Sequence, residues 1–179
     1  RFMAAYPAIG VRVQVRDWDD LLPRLRSREL DFFVAEISTL KHEADLAVEP
    51  MAEHALYFVG RHQHPLAGRD KVTAVETFGY PFIAPARIPP RLLEPMLQAR
   101  RKAAGRKATP HAFPALECNV VAAVKRIVES SDAVTALTLS CLATELQQQR
   151  LALLGTKPWL SVRYGIVSLK GHPMSSAAL

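Results

Sequence analysis

The sequence predicts an α/β fold of two subdomains joined by two crossing strands, and three observations carry that expectation. Short apolar strands alternate with amphipathic helices along 179 residues. Phe32, Phe33, Val34, Ala35 and Ile37 form an apolar run broken only by Glu36, which reads as a strand covered on both faces, as in a parallel sheet. Two further apolar strands far apart in the chain, at residues 80–85 and 160–170, read as crossings between subdomains. Both chain ends then belong to one subdomain, residues 1–79 with 164–179, and residues 80–163 form the other.

Taken in order, Phe2, Met3 and Tyr6 read as the tail of a helix that Pro7 stops. Val11, Val13 and Val15 alternate with Arg12, Gln14 and Arg16, the pattern of a strand with one dry face. Asp17, Asp19 and Asp20 are candidate caps for the next helix. With Asp20 as the cap, Pro23 falls in the first turn, whereas a start at Trp18 puts its ring in the helix body. After Ile37 a polar loop leads to Leu46, Val48 and Met51 around Glu49-Pro50, then to a strand at 55–60. Thr73 with Glu76 three residues on has the capping-box spacing, and Gly79 closes that helical turn. Pro85, Pro89 and Pro90 stiffen a loop before a helix at 91–104, which places Leu92, Leu93, Met96 and Leu97 on one side, tolerates Pro95 only near its start, and has Gly105 as its C-cap.

A weak strand at 111–117 precedes the clearest helix of the chain. There Asn119 is the expected N-cap, and Val120, Val121, Val124, Ile127 and Val128 share a face. A helix start just past a strand is where an open α/β sheet presents backbone N–H groups to an anion. A buried strand at 133–138, a helix around 141–149 and a short strand at 151–154 complete the second subdomain.

Composition narrows the function classes. The formal charge is +6, yet apart from residues 100–107 the cations are scattered and no aromatic-interleaved basic patch exists, so a solvated basic surface outweighs nucleic-acid contact by this chain. Residues 100–102 sit where cations complement a helix dipole. No apolar run approaches the roughly 20 residues of a membrane span, and Arg1-Phe2-Met3 is no secretory leader. Cys118 and Cys141 are too few for a disulfide framework and read as reduced thiols in a cytoplasmic protein. His62 and His64 lack a nearby carboxylate or thiol partner, so a turn-rich loop is preferred to a metal pair. No Gly-x-Ser-x-Gly, phosphate loop or paired metal motif occurs, so neither catalytic residues nor a cofactor is expected. Glu36 stands out, because a carboxylate at the end of an apolar strand must be paired, solvent-facing in a cleft, or bound.

Tyr6-Pro7, the 11–16 strand, Arg28-Glu29, Leu30-Asp31, His64-Pro65-Leu66-Ala67 and His172-Pro173-Met174-Ser175 occur in an order and spacing that resembles the effector-binding domain of LysR-type transcriptional regulators. The resemblance implies two Rossmann-like subdomains joined by two crossover strands, as in type II periplasmic binding proteins, with a small effector, a small organic acid by expectation, between them. It implies cleft positions at Asp17, Trp18, Asp19, Glu36, Ile37, Ser38, Ala84, Pro85, Ala86, Asn119 and Thr138. It also implies a homodimer or tetramer paired through residues 2–6 and 11–16, and DNA contact through an N-terminal domain that, with a linker helix and a first strand, the family pattern places ahead of Arg1. A final helix is expected after residues 175–178, and Ser130-Ser131-Asp132 replaces the family's glycine-rich turn. Two other classes share the fold: a solute receptor of a transport system, which needs an export signal, and an enzyme resembling deaminases or dehydratases, which needs turnover dependent on Glu36 or Asp19.

Overall fold

The computed structural model describes residues 2–38, 40, 43–104 and 112–171. The expected C-cap at Gly105 and the segment after Gly171 lie outside them. Helix α1 (Phe2–Ala5) ends ahead of Pro7. Residues 11–16 then form no strand, and Val11, Val13 and Val15 are 54%, 83% and 72% exposed. This corrects the expected strand. Alternation supplies a face, but a strand also needs a neighbour for its N–H and C=O groups, and no described strand pairs with this segment.

Helix α2 (Trp18–Arg26) begins at Trp18, with Asp17 in the N-cap position but making no side-chain cap bond. Asp20 is therefore not the cap, and Pro23 stands inside the helix, where it gives up the bond to the carbonyl of Asp19. Leu21 and Leu25 turn inward against β1 (Phe33–Glu36) and Val167. Strand β1 pairs antiparallel with the strand at Leu160–Leu169, which in turn pairs antiparallel with β2 (Leu46–Arg61). Phe33 and Ala35 face this core while Phe32 and Val34 are 40% and 50% exposed, so the expected two-sided parallel strand is an antiparallel one with a single dry face.

The pieces expected at 46–51 and 55–60 form one strand of 16 residues. Pro50 is tolerated because the register of the ladder shifts between Pro50 and Glu53, a bulge that relieves the missing N–H.

The middle of the chain builds a sheet covered on both faces. Strands β3 (Ile83–Ala84) and β4 (Leu116–Glu117) run parallel, Phe82 bridges in parallel to Val134 ahead of β5 (Thr135–Leu137), and β5 and β6 (Leu151–Leu153) each pair antiparallel with β2. The period of two divides the buried residues. Phe58, Phe82, Ala84, Val134 and Ala136 face a core with Phe78 and with Met96, Ala99 and Ala103 of α4 (Pro90–Ala104); α3 (Ala74–Thr77) also packs on this side. Val59, Ile83 and Leu137 face the other core with Val124 and Val128 of α5 (Val121–Glu129) and Leu142 of α6 (Leu139–Gln147). Strand β7 (Leu160–Leu169) returns the chain.

Tyr80 and Phe82 lie within the first of these cores, packed with Phe58 and Phe78, so residues 80–85 sit inside the second subdomain. Strand β2 pairs with β7 up to Leu56 opposite Leu160 and with β5 and β6 over residues 57–61. The chain thus leaves one core and enters the other along β2, and returns along β7. A hydrogen-bonded strand is the natural link, because it satisfies its backbone while spanning both cores.

Candidate functional site

Because β3, β4 and β5 share a direction, their carboxyl ends at Ala84, Glu117 and Leu137 point the same way, and α4, α5 and α6 begin just beyond. Tyr57 pairs with Leu137 in antiparallel register, so those ends face the earlier residues of β2 and the other subdomain. Strand β1 ends at Glu36 opposite Tyr164, and the Ile37 N–H donates to the Arg163 carbonyl at 3.0 Å. Strand ends from both halves therefore meet beside the two linking strands, the usual place for a ligand in α/β sheets.

Two sets of side chains bridge the halves. In the first, Arg87 from the loop after β3 makes an ion pair with Asp19, its backbone N–H lies 3.5 Å from Asp17 Oδ1, and Glu117 is 4.0 Å from its Nε. The charge of Asp19 is the main reason the Arg87 guanidinium is held above its ordinary pKa. Asp19 Oδ1 is buried without a hydrogen-bond partner among the described residues. Ala84 accepts from the Cys118 N–H at 3.0 Å, which sets Ala84, Pro85 and Ala86 beside Glu117. Asn119 is exposed and is not the cap expected of it, since Val120 holds the N-cap position of α5 and the helix starts one residue later. Trp18 opens α2, and its side chain lies outside what is described.

In the second set, the buried Glu36 accepts from Arg91 at 3.1 Å on Oε1, and from both the Ser38 N–H at 3.1 Å and the Ser38 hydroxyl on Oε2. Arg91 also donates to the Ser161 carbonyl at 3.1 Å. Glu53 accepts from the Ser161 hydroxyl and from Arg163 at 3.1 Å, and these bonds hold its carboxyl below the usual range. Tyr164 is pushed above the ordinary phenol pKa by burial first, then by the nearby Cys141 and Glu36. Glu36, Ile37, Ser38, Arg91, Glu53 and Arg163 line a cavity of about 650 Å³, whose apolar lining comes from Ile37, Leu40, Leu46, Val48 and Pro50. Thr138 does not line it; its hydroxyl lies 3.0 Å from that of Ser140 at the start of α6.

Of the residues expected at the site, Glu36, Ile37 and Ser38 line the cavity, and Asp17 and Asp19 meet the loop that carries Ala84, Pro85 and Ala86. Sequence reasoning missed Arg87, Arg91, Glu53, Arg163 and Tyr164. Arg91 had a readable signal: a cation in the first turn of α4 opposes the helix dipole and calls for a carboxylate partner. Glu36, for which pairing was one of three expected outcomes, is that residue.

Among the described residues no cluster of His, Cys, Asp and Glu is arranged to hold a metal, and no helix is long and apolar enough to cross a membrane. His64 is committed elsewhere, its Nε2 lying 3.2 Å from the Asp132 carbonyl and its Nδ1 accepting from the Leu66 N–H at 3.1 Å.

The whole chain, residues 1–179, matches the family described as LysR substrate binding domain. It is 31% identical over 183 residues to the SDS degradation transcriptional activation protein of Pseudomonas sp. (strain ATCC 19151), spanning 99% of this chain and 57% of that protein's length. In fold it resembles the regulatory domain of CcmR from Synechocystis PCC6803 in complex with 2-PG, with a TM-score of 0.74 at 21% identity over 98% of this chain and 81% of that one. It likewise resembles the effector-binding domain of QuiR in complex with shikimate, with a TM-score of 0.69 at 18% identity over 99% of this chain and 81% of that one.

Proposed function

This chain belongs to the LysR substrate-binding domain family, and we propose that it is the sensing part of a longer regulator, holding a small-molecule effector between its two subdomains. The fold is that of the type II periplasmic binding proteins, and the family match favours a regulatory domain over a transport receptor. The carrying observation is the meeting of strand ends from both halves, where Arg87 pairs with Asp19 and Arg91 with Glu36. A ligand there touches both halves at once, so it binds one relative arrangement better than another and shifts the population between them. Asp17, Trp18, Asp19, Glu36, Ile37, Ser38, Ala84, Pro85, Ala86, Asn119 and Thr138 are the proposed surroundings, to which the geometry adds Arg87 and Arg91. We place the passage between subdomains in β2 near Pro50–Glu53, where the register shifts, and in the facing part of β7.

In this reading the domain binds without turning its ligand over, and works in the cytoplasm. DNA contact belongs to a part of the protein outside this chain. Pairing into a dimer or tetramer uses the exposed Phe2, Met3 and Tyr6 with Val11, Val13 and Val15. The effector is a small organic acid. The alkyl sulfate in the name of the Pseudomonas relative makes alkyl-chain anions worth including among candidates.

A thermal-shift screen of small carboxylates, sulfates and aromatic acids tests the proposal. A saturable rise in Tm is expected for at least one class, about 2.7 kcal/mol of added stability at a hundredfold excess over Kd. The double variant Arg87→Gln/Arg91→Gln should lose that rise. Absence of any shift across a broad set, in a protein folded by circular dichroism, overturns the sensing role.

A further inference from the structure

We propose that the cavity beside the linking strands takes an organic anion with an apolar body, its acidic group on the open edge of Arg91 and its body over Ile37, Leu40, Leu46 and Val48. This rests on the sensing role above and assigns the effector's two ends to particular residues.

The hydrogen-bond inventory of the lining decides the sign of the ligand. Its carboxylates are already engaged. The two oxygens of Glu36 take three bonds from Arg91 and Ser38, those of Glu53 take Ser161 and Arg163, and one oxygen of Glu43 takes Arg26 at 2.6 Å. Its donors are in surplus. Both bonds of Arg91 come from one terminal nitrogen, so its other terminal nitrogen and its Nε make no hydrogen bond among the described residues. Among the described residues Arg163 likewise uses one terminal nitrogen, and the Lys170 ammonium donates only to the Ala44 carbonyl at 3.0 Å. A guanidinium carries five donors and an ammonium three, with no acceptor on either. Spare donors beside carboxylates that already hold cations favour a group rich in acceptors, a carboxylate or a sulfate, and a ligand cation must compete with a guanidinium already in place.

The remaining lining decides the other end. Ile37, Leu40 and Leu46 are buried, and Val48 is 37% exposed, so an apolar floor opens to the cavity at Val48. The volume of about 650 Å³ suits a small molecule rather than a lone inorganic anion. Arg91 is held by Glu36 and by the Ser161 carbonyl, so its fork is oriented before a ligand arrives and little freedom is lost on binding. It comes from α4 of the second subdomain, while the floor belongs to the first, so an anion with a body ties the halves together.

Isothermal titration of the chain with acetate, hexanoate, hexyl sulfate and hexylammonium, all as monomers, separates these requirements. Hexanoate or hexyl sulfate should bind at least tenfold more tightly than acetate, and hexylammonium should not bind; the two anions between them distinguish carboxylate from sulfate. Arg91→Lys, which keeps the charge and loses the fork, should weaken the tight anion about tenfold. Val48→Asp should weaken it similarly without touching the buried core. Affinity indifferent to chain length or to the sign of the head group overturns the inference, as does wild-type affinity in folded Arg91→Lys. A ligand found in the broad screen that ignores Arg91 and Val48 but is lost in Arg87→Gln also overturns it, and leaves the sensing role standing.

Discussion

His64 shows how much a single ring can settle. It is 3% exposed, lies edge-on to Tyr80 with centroids 4.5 Å apart, and is neutral by construction, since one nitrogen accepts the Leu66 N–H and the other faces the Asp132 carbonyl. Burial lowers its pKa, and the Asp132 carbonyl and charge oppose that only in part. The unfolded chain, with a pKa of about 6.5, therefore takes up the proton first as pH falls. The stability supplied by the neutral ring is present above that value and lost as pH drops below it. Melting curves at pH 7.5 and 5.5 should show a larger fall in Tm for the native chain than for His64→Gln. Gly60 is part of the same packing, for a Cβ there meets His64 Cγ at 2.8 Å, and Gly60→Ala should cost about 1–3 kcal/mol in denaturant unfolding. The sequence marked His64-Pro65 as a surface turn beside His62. Nothing local announces that Gly60 leaves room for the ring, because that contact belongs to the fold.

Among the elements, two helix starts contrast. Thr73 accepts from the Glu76 N–H at 3.2 Å, and Glu76 returns the bond to the Thr73 N–H at 2.9 Å. The Thr73 N–H and hydroxyl, both donating to the Glu76 carboxylate, together with Arg69, bring that carboxyl down to about 2. Thr73→Ala should cost about 1 kcal/mol. Asn119 makes no cap bond, so Asn119→Ala should change stability by no more than about 0.5 kcal/mol, and paired urea titrations compare the two. The capping box was legible because both halves of the signal lie three residues apart in the chain. The start of α5 was misjudged by a residue because helix ends answer to what packs behind them, here Val124 and Val128. The aspartates at the start of α2 were read as caps, yet Asp17 and Asp19 are held by Arg87, 70 and 68 residues away, a partner that no local pattern reveals.

At the scale of the whole molecule, the alternation of strands and helices was readable, since period and turn chemistry are local. The passage between cores was not. Glu49-Pro50 interrupts the β pattern, so β2 looked like two pieces, and the strong apolar segment at 80–85 looked like the link. Pairing across some hundred residues with β7 is what makes β2 one strand, and only the folded ladder displays it. Hydrogen exchange should report the same division. Amides of residues 11–16 should exchange at nearly intrinsic rates, and those of Val59, Val134 and Thr135, fully buried in the central sheet, should exchange only with global unfolding. Protection of residues 11–16 in the isolated chain would contradict the absence of a ladder there.

The bulge in β2 sets Met51 and Ala52 opposite the single residue Tyr164, and on either side of it the two linkers are bonded rung to rung. Such a pair of strands behaves as a ribbon rather than as two loose tethers: it resists stretching and sideways slip, and yields by bending where the rungs are interrupted. Any swing of one half against the other is thereby confined to a narrow arc about one pivot. A slight turn at that pivot becomes a much larger displacement at the far rim, the leverage that the proposed sensing role asks of a molecule of metabolite size.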